Sequence, residues 1–129
     1  MRYALVLVLA AVPALAEPPL TAEDFDALTL GRTMTWAENG TVYGVEQYLP
    51  GRRVRWSGVG EGCTLGHWYA DGPAICFKYE NDLEPDCWIM TRSDTGLDAS
   101  YAPNPSGADP VVVEETAGPP ACLGPEVGV

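Results

Sequence analysis

Apolar and polar residues alternate with a period of two along residues 32–102, and turn residues interrupt the alternation at short intervals. This pattern is typical of antiparallel strands joined by hairpins, because successive side chains of a strand point to opposite faces. It predicts an all-β fold: a single antiparallel β-meander of about seven strands, forming an open or partly closed barrel-like sheet. Residues 17–31 predict a lead-in with one short helix, which Thr21 can cap and Gly31 can end.

Three turn sequences predict the register of the strands: Asn39-Gly40, Pro50-Gly51 and Asp71-Gly72. The first and third fit two-residue primed hairpin turns, and the second fits a type II turn. Counting outward from each turn predicts which residues lie opposite one another. The predicted pairs are Ala37–Val42, Trp36–Tyr43, Met34–Val45, Tyr48–Arg53, Glu46–Arg55, Val45–Trp56, Trp68–Ile75 and Gly66–Phe77.

The three counts agree in dividing the sheet into an apolar and a polar face. The apolar face would carry Met34, Trp36, Tyr43, Val45, Val54, Trp56, Trp68, Ile75, Phe77 and Tyr79. The polar face would carry Glu46, Tyr48, Arg53 and Arg55. A slip of one residue would turn the aromatic side chains into solvent, so the pattern predicts a well-defined register.

Residues 1–16 have the features of a signal peptide. Arg2 supplies the charged start, residues 5–12 form an apolar run, and Ala14-Leu15-Ala16 fits the small-x-small cleavage pattern. The apolar run is too short to cross about 30 Å of hydrocarbon. We therefore expect cleavage after Ala16, a periplasmic or secreted location, and no membrane insertion of the mature chain.

The four cysteines, Cys63, Cys76, Cys87 and Cys122, lie beyond the predicted cleavage site. An even number in an exported chain predicts two disulfides, and the wide spacings argue against a zinc site. A loop over residues 77–86 would place Cys76 opposite Cys87 and Ile75 beside Trp88, which favours the pairs Cys76–Cys87 and Cys63–Cys122. A tighter loop would favour another connectivity.

The second disulfide would tether the last segment of the chain. Residues 103–129 hold half of the 12 prolines and predict a Pro-rich C-terminal tail attached through Cys122. Within it, only Val111-Val112-Val113 has the composition of a strand.

The formal net charge of −11 argues against nucleic acid or anionic lipid as a partner, because phosphate groups would be repelled. No catalytic constellation is recognisable around His67, the single histidine, so the chain is not expected to be an enzyme. The acidic run of Asp82, Glu84 and Asp86 lacks the glycine and the further oxygen ligands of a calcium loop. We interpret it as a solvated loop and predict no metal or cofactor, and the protein is expected to be a monomer.

The polar face suggests a surface for a partner. We call Tyr48, Arg53, Arg55, His67 and Tyr69 the predicted interaction surface, since arginine side chains bind anionic groups in a bidentate manner. The favoured function is a non-enzymatic periplasmic binding or protein-interaction module. One alternative is a small-molecule carrier that uses the aromatic face as a pocket. Another is an inhibitor of a basic enzyme such as a lysozyme.

Several blocks of the sequence resemble a family of small exported, periplasmic proteins of alphaproteobacteria for which no function is known. The blocks are residues 31–36, 43–54, 66–69, 75–80 and 87–88 and the ending 122–129. The resemblance extends over nearly all of the chain after the predicted signal peptide. It implies a periplasmic location and assigns no activity, ligand or site residues.

Overall fold

The computed structural model describes residues 7–13, 15, 17–120 and 122, and in this part of the chain eight antiparallel strands close into a barrel. Each strand pairs with the next along the chain, and the eighth pairs with the first. The strands are β1 Thr33–Glu38, β2 Thr41–Leu49, β3 Arg53–Gly58, β4 Cys63–Asp71, β5 Ala74–Tyr79, β6 Asp86–Arg92, β7 Leu97–Tyr101 and β8 Val111–Thr116. The predicted all-β meander is confirmed, with closure complete and one strand more than expected.

The additional strand, β8, lies within the segment predicted as a Pro-rich tail. It pairs with β7 on one side and with β1 on the other, where Val113 lies opposite Trp36. Val111 and Val113 are buried inside the barrel. The short valine run therefore closes the sheet, which leaves no unpaired strand edge.

The predicted register of β1 with β2 is wrong beyond the first pairs of the hairpin. Ala37 lies opposite Val42 as expected, but a bulge between Trp36 and Ala37 then places Trp36 opposite Gly44. A bulge adds one residue on one strand, so the residues that follow exchange faces. Met34 accordingly lies opposite Glu46 rather than Val45 in the strand pair.

The turn between β2 and β3 also differs from the predicted type II turn. It is a three-residue 3-10 turn, Pro50–Arg52, in which Gly51 and Arg52 both have positive φ angles, 75° and 58°. The extra turn residue places Tyr48 opposite Val54 instead of Arg53. Glu46 lies opposite Trp56 rather than Arg55, so the side chains of β2 at positions 46 and 48 point into the barrel.

The hairpin of β4 and β5 keeps its predicted faces although its pairs are different. Asp71 lies opposite Ala74, and Trp68 lies opposite Phe77 rather than Ile75. This register differs from the predicted one by two residues, which leaves every side chain on its predicted face. Gly66 lies opposite Tyr79, where an added Cβ would meet the Tyr79 backbone and ring.

Both predicted disulfides are confirmed. Cys76 bonds to Cys87 on the paired strands β5 and β6, with Cα atoms 4.0 Å apart. Cys63, the first residue of β4, bonds to Cys122, with Cα atoms 5.0 Å apart. The described part of the chain contains no unpaired cysteine.

The predicted short helix, α1, spans Ala22–Thr29 and closes one end of the barrel. Thr21 caps it, and Asp24 completes a capping box with the Thr21 backbone. Phe25 is fully buried, and its ring lies 5.6 Å from Tyr48, 4.9 Å from Trp68 and 6.1 Å from Phe77, measured between centroids. These edge-to-face contacts fill this end of the interior.

The predicted signal peptide falls partly outside the described residues, which exclude residues 1–6, Ala14 and Ala16. Residues 7–13 and 15 have no regular structure, and their apolar side chains are exposed, up to 94% for Leu15. Among the helices of the described residues, none is long and apolar enough to cross a membrane.

Candidate functional site

A pocket of about 260 Å³ opens at the end of the barrel opposite α1. It is formed where β1, β3 and β5 end and where β2, β4 and β6 begin. Its aromatic lining consists of Trp36, Tyr43, Trp56, Phe77, Tyr79 and Trp88, and its polar lining consists of Glu61, Thr64, Asn81, Asp82 and Asp86. We call this the open-end pocket.

The aromatic rings of the open-end pocket stand at steep angles to one another. The Trp36 ring centroid lies 6.3 Å from that of Trp56 at an interplanar angle of 85°, and 5.4 Å from that of Trp88 at 63°. Tyr43 lies 5.8 Å from Trp56 at 55°. Rings packed edge to face in this way surround the pocket on several sides rather than stacking in one plane.

Gly44 gives Trp56 its place in the pocket wall. The bulge after Trp36 turns Gly44 toward the interior, where it is buried. A Cβ added at this position would overlap the ring of Trp56. The glycine is therefore required by the close approach of the indole to the β2 backbone.

Three carboxylates, Glu61, Asp82 and Asp86, form the rim of the pocket. Partial burial, and then the neighbouring charge of Asp82, raise the pKa of Asp86 above its ordinary value. The ammonium of Lys78 donates to the backbone carbonyls of Tyr79 and Asp82 and so holds the loop that carries the rim. No arginine or lysine side chain lines the pocket among the described residues.

A buried acid, Glu46, lies behind the pocket wall. Its side chain is fully buried, and the Tyr79 hydroxyl donates a 2.8 Å hydrogen bond to its Oε1 atom. Burial raises the pKa of Glu46 to about 8, and the hydrogen bond from Tyr79 lowers it in part. Because Tyr79 also lines the open-end pocket, it connects the buried acid to the site.

Other polar atoms share this interior. Within the described part of the chain, Glu46 Oε2, the Trp36 indole nitrogen and the Tyr48 hydroxyl complete no hydrogen bond of normal geometry. Burial and then the charge of Glu46 raise the pKa of Tyr48 well above its ordinary value, while the nearby Trp36 lowers it in part. Burial and then the charge of Glu46 also raise the pKa of Tyr79 well above its ordinary value. The phenols therefore stay neutral and can act as hydrogen-bond donors.

The structure separates Tyr48 from the other members of the predicted interaction surface. Tyr48 is buried in the barrel, 1% exposed, so its predicted place on the polar face is wrong. Arg53 lies opposite His67 on the outer side of β3 and β4, and the His67 ring lies 6.0 Å from that of Tyr69. Arg55, two residues after Arg53, lies opposite Gln47 and Leu65, so the predicted pair with Glu46 is also wrong.

Part of this outer surface forms a groove of about 530 Å³. It is lined by Leu49, Arg53, Val54, Leu65, Gly66, His67, Lys78, Tyr79 and Glu80. The structure therefore brings Arg53 and His67 together in the groove.

Two of the three members of the acidic loop line the open-end pocket. Asp82 and Asp86 reach the rim, and Glu84 and Asp86 are exposed, as expected for a solvated loop. No group of three or more metal-ligating side chains occurs among the described residues. The alternation pattern did not identify Glu46 as an interior residue; the signal for it is Gly44, since a glycine within a strand often marks a bulge.

Fold and site together place the chain among small closed eight-stranded barrels, whose interiors are filled by side chains or hold one small ligand. In the part of the chain that the structure describes, Phe25 fills the helix end of this barrel and the open-end pocket occupies the other. No family model, no curated protein and no solved structure matches the chain.

Proposed function

We propose that the protein is a non-enzymatic binding protein or carrier that holds one small organic molecule in the open-end pocket. The observation that supports this most directly is the set of six aromatic side chains that line a single cavity at the end of the barrel opposite α1. Ligand pockets in proteins are largely apolar, with a few polar groups that orient the ligand. The volume of about 260 Å³ lies just below the roughly 300–1,000 Å³ of typical ligand sites, so the ligand should be smaller than a drug-sized molecule.

The degree of burial of these rings supports binding over simple core packing. Trp36 is nearly fully buried, but Tyr43, Trp56, Tyr79 and Trp88 are only partly buried. Each Å² of apolar surface that a ligand removes from water contributes about 25 cal/mol to the free energy of binding. A ligand would thus cover the aromatic rings at this end, as the Phe25 side chain covers them at the other end.

Fluorine NMR of the protein labelled with 5-fluorotryptophan tests the proposal, because the chain has four tryptophans in suitable places. Trp36, Trp56 and Trp88 line the pocket, whereas Trp68 packs on Phe25 at the closed end. Titration with a panel of small neutral and charged fragments should shift the three pocket signals and leave that of Trp68 in place. A panel that moves no signal, or that moves all four equally, would contradict the proposal.

A filled pocket provides the matched control. Thr64 lines the pocket, so Thr64→Phe should occupy part of its volume and weaken fragment binding at least severalfold. Thr91 lies next to the inward-facing Met90 and so points to the outer side of β6, and Thr91→Phe should leave binding unchanged. Equal binding by the two variants would place the fragments elsewhere on the protein.

We also propose that the chain is exported and acts in the periplasm. Two disulfides support an oxidising compartment, and the apolar side chains of residues 7–12 pack on nothing in the barrel. Cell fractionation with N-terminal sequencing should find the protein outside the cytoplasm and beginning at Glu17. A cytoplasmic chain retaining residues 1–16 would contradict this.

The outer groove supports a second candidate function, binding of an acidic protein partner. Arg53, His67 and Lys78 contribute basic or potentially basic groups to it on an otherwise acidic molecule. Pull-down from a periplasmic extract with the wild type and with Arg53→Glu/Arg55→Glu should show partners lost from the variant. An identical set of partners would rule out this surface.

A further inference from the structure

We infer that the ligand of the open-end pocket is an organic cation, of the class of quaternary or protonated alkylamines. The inference depends on the proposed function, namely that this pocket binds a small molecule. It specifies the chemical class of that molecule from the ring arrangement and the charges of the lining.

The ring arrangement is suited to a cation. A positive group within about 6 Å of an aromatic centroid is attracted to the ring face, most strongly to that of tryptophan. Trp36, Trp56 and Trp88 line one cavity, and steep interplanar angles separate Trp36 from both of the others. Rings that surround a cavity at such angles can contact one alkylammonium group from several sides, as in aromatic cages.

The closed end of the same barrel provides an internal comparison. There the guanidinium of Arg52 lies 4.6 Å from the centroid of Trp68, so the chain supplies its own cation to a tryptophan face. At the open end, the lining contains no arginine or lysine side chain among the described residues. Within the described lining, the tryptophan faces of that end have no cation of their own, which is the place that a ligand cation would take.

The charges of the lining favour the same class. Glu61, Asp82 and Asp86 all contribute to the rim, so an anionic ligand would be repelled. Burial, and then the charges of Glu38, Asp86 and Glu46, raise the pKa of Tyr43 to about 12. Burial disfavours a charge of either sign, but the smaller contribution of the acidic neighbours is a negative potential, which favours a positive ligand at the same position.

The remaining polar groups distinguish an organic cation from a metal ion. A hard metal ion such as calcium needs six or more oxygen ligands that converge on one point. Among the described residues, no group of three or more metal-ligating side chains occurs, and six of the eleven side chains that line the pocket are aromatic. An alkylammonium, by contrast, combines an apolar surface with a positive charge, which matches aromatic walls below an acidic rim.

The experiment compares choline with its neutral carbon isostere, 3,3-dimethylbutan-1-ol, by fluorine NMR of the fluorotryptophan-labelled protein. The two probes have nearly the same shape and differ in charge. We expect choline to shift the signals of Trp36, Trp56 and Trp88. The isostere should bind at least about tenfold more weakly than choline. Tetramethylammonium and benzyltrimethylammonium extend the series to smaller and larger cations.

Charge-neutralising variants test the contribution of the rim. Asp86→Asn should weaken choline binding severalfold, and added salt should reduce the difference from wild type. Asp71 begins the turn at the opposite end of the barrel, so Asp71→Asn makes the same change in net charge and should leave binding unchanged. Equal weakening by both variants would contradict a role for the rim.

The possible outcomes separate this inference from the proposed function. If the isostere binds as tightly as choline, the cation class is wrong while binding in the pocket stands. If none of the three cations moves the pocket signals below about 10 mM, the inference is also overturned, and the fragment panel then decides the proposed function independently. Selective binding of the cations, weakened in Asp86→Asn alone, supports both.

Discussion

The two ends of the barrel are built from the same aromatic lining but are completed differently. At the closed end, the Phe25 ring of α1 inserts among Tyr48, Trp68 and Phe77 and packs edge to face on all three. At the open end, the rings that continue this lining surround a pocket of about 260 Å³. A single residue brought in by an eight-residue helix therefore distinguishes a packed end from an end that holds a pocket.

The ends also differ in what stabilises them. The closed end depends on side-chain packing, including the buried Thr29 hydroxyl, which donates to the Phe25 carbonyl. At the open end, Cys63 attaches the start of β4 to Cys122, and Cys87 follows Asp86 of the rim. Covalent links maintain this end without side chains that would fill the pocket. Stability and a preformed cavity are thereby compatible in a small domain.

The largest effect is expected from removing the side chain that fills the closed end. Phe25→Ala should lower the free energy of unfolding by about 3–5 kcal/mol, because it opens a cavity among fully buried rings. Tyr43→Ala at the open end should cost about half as much or less, since Tyr43 is only partly buried and already borders a cavity. Urea denaturation measures both. Equal losses would show that the two ends are packed alike.

Removing a disulfide tests how the open end is held. Cys63→Ser/Cys122→Ser should lower the free energy of unfolding by about 2–5 kcal/mol, because the bond joins residues 59 apart. Cys76→Ser/Cys87→Ser should cost less, since its partners are only 11 apart. Hydrogen exchange should rise first around the start of β4 in the former variant. Earlier exchange in α1 would contradict this assignment of roles.

The buried acid predicts an unusual dependence of stability on pH. Glu46 ionises near its ordinary pKa of 4.5 in the unfolded chain but only near 8 in the barrel. Between these values unfolding releases a proton, so the free energy of unfolding falls as the pH rises, by roughly 3 kcal/mol from about pH 5 to about pH 8. Glu46→Gln should remove this part of the decline in urea denaturation curves measured across the range.

A second variant sharpens the assignment to Glu46. The hydrogen bond from Tyr79 lowers the Glu46 pKa, so Tyr79→Phe should raise that pKa and extend the decline to higher pH. Parallel pH profiles for wild type and Glu46→Gln would show that the acid is not the cause.

Much of the fold could be predicted because its signals are local. The capping sequence at Thr21 and the turn residues identified the helix and the hairpins, and the even number of cysteines with a loop over residues 77–86 favoured the two disulfides that are present. Strands β1 and β3 also have their predicted faces, with Met34, Trp36 and Val54 in the core. These features depend on residues near one another in sequence or on a parity that no irregularity disturbs.

The errors in the predicted strand faces came from two one-residue irregularities that flank β2. The bulge after Trp36 reversed β2 relative to β1, and the three-residue turn Pro50–Arg52 reversed it relative to β3. The two shifts leave β1 and β3 aligned and exchange the faces of β2 alone, which moved Glu46 and Tyr48 inside. A pocket on the aromatic face was predicted only as an alternative; its position at one end could not be predicted, since it depends on barrel closure by β8 and on which end α1 covers.

The smallest expected effect concerns the cation that the chain itself provides. Arg52→Ala removes the guanidinium over Trp68 and should lower the free energy of unfolding by about 0.5–1 kcal/mol. Arg52→Lys keeps a positive charge and should recover part of this loss. In the fluorotryptophan spectrum the Trp68 signal should move while those of Trp56 and Trp88 stay in place. Movement of the Trp56 and Trp88 signals in Arg52→Ala would mean that the two ends are coupled. A cation bound at the open end would then also change the environment of Trp68 at the closed end.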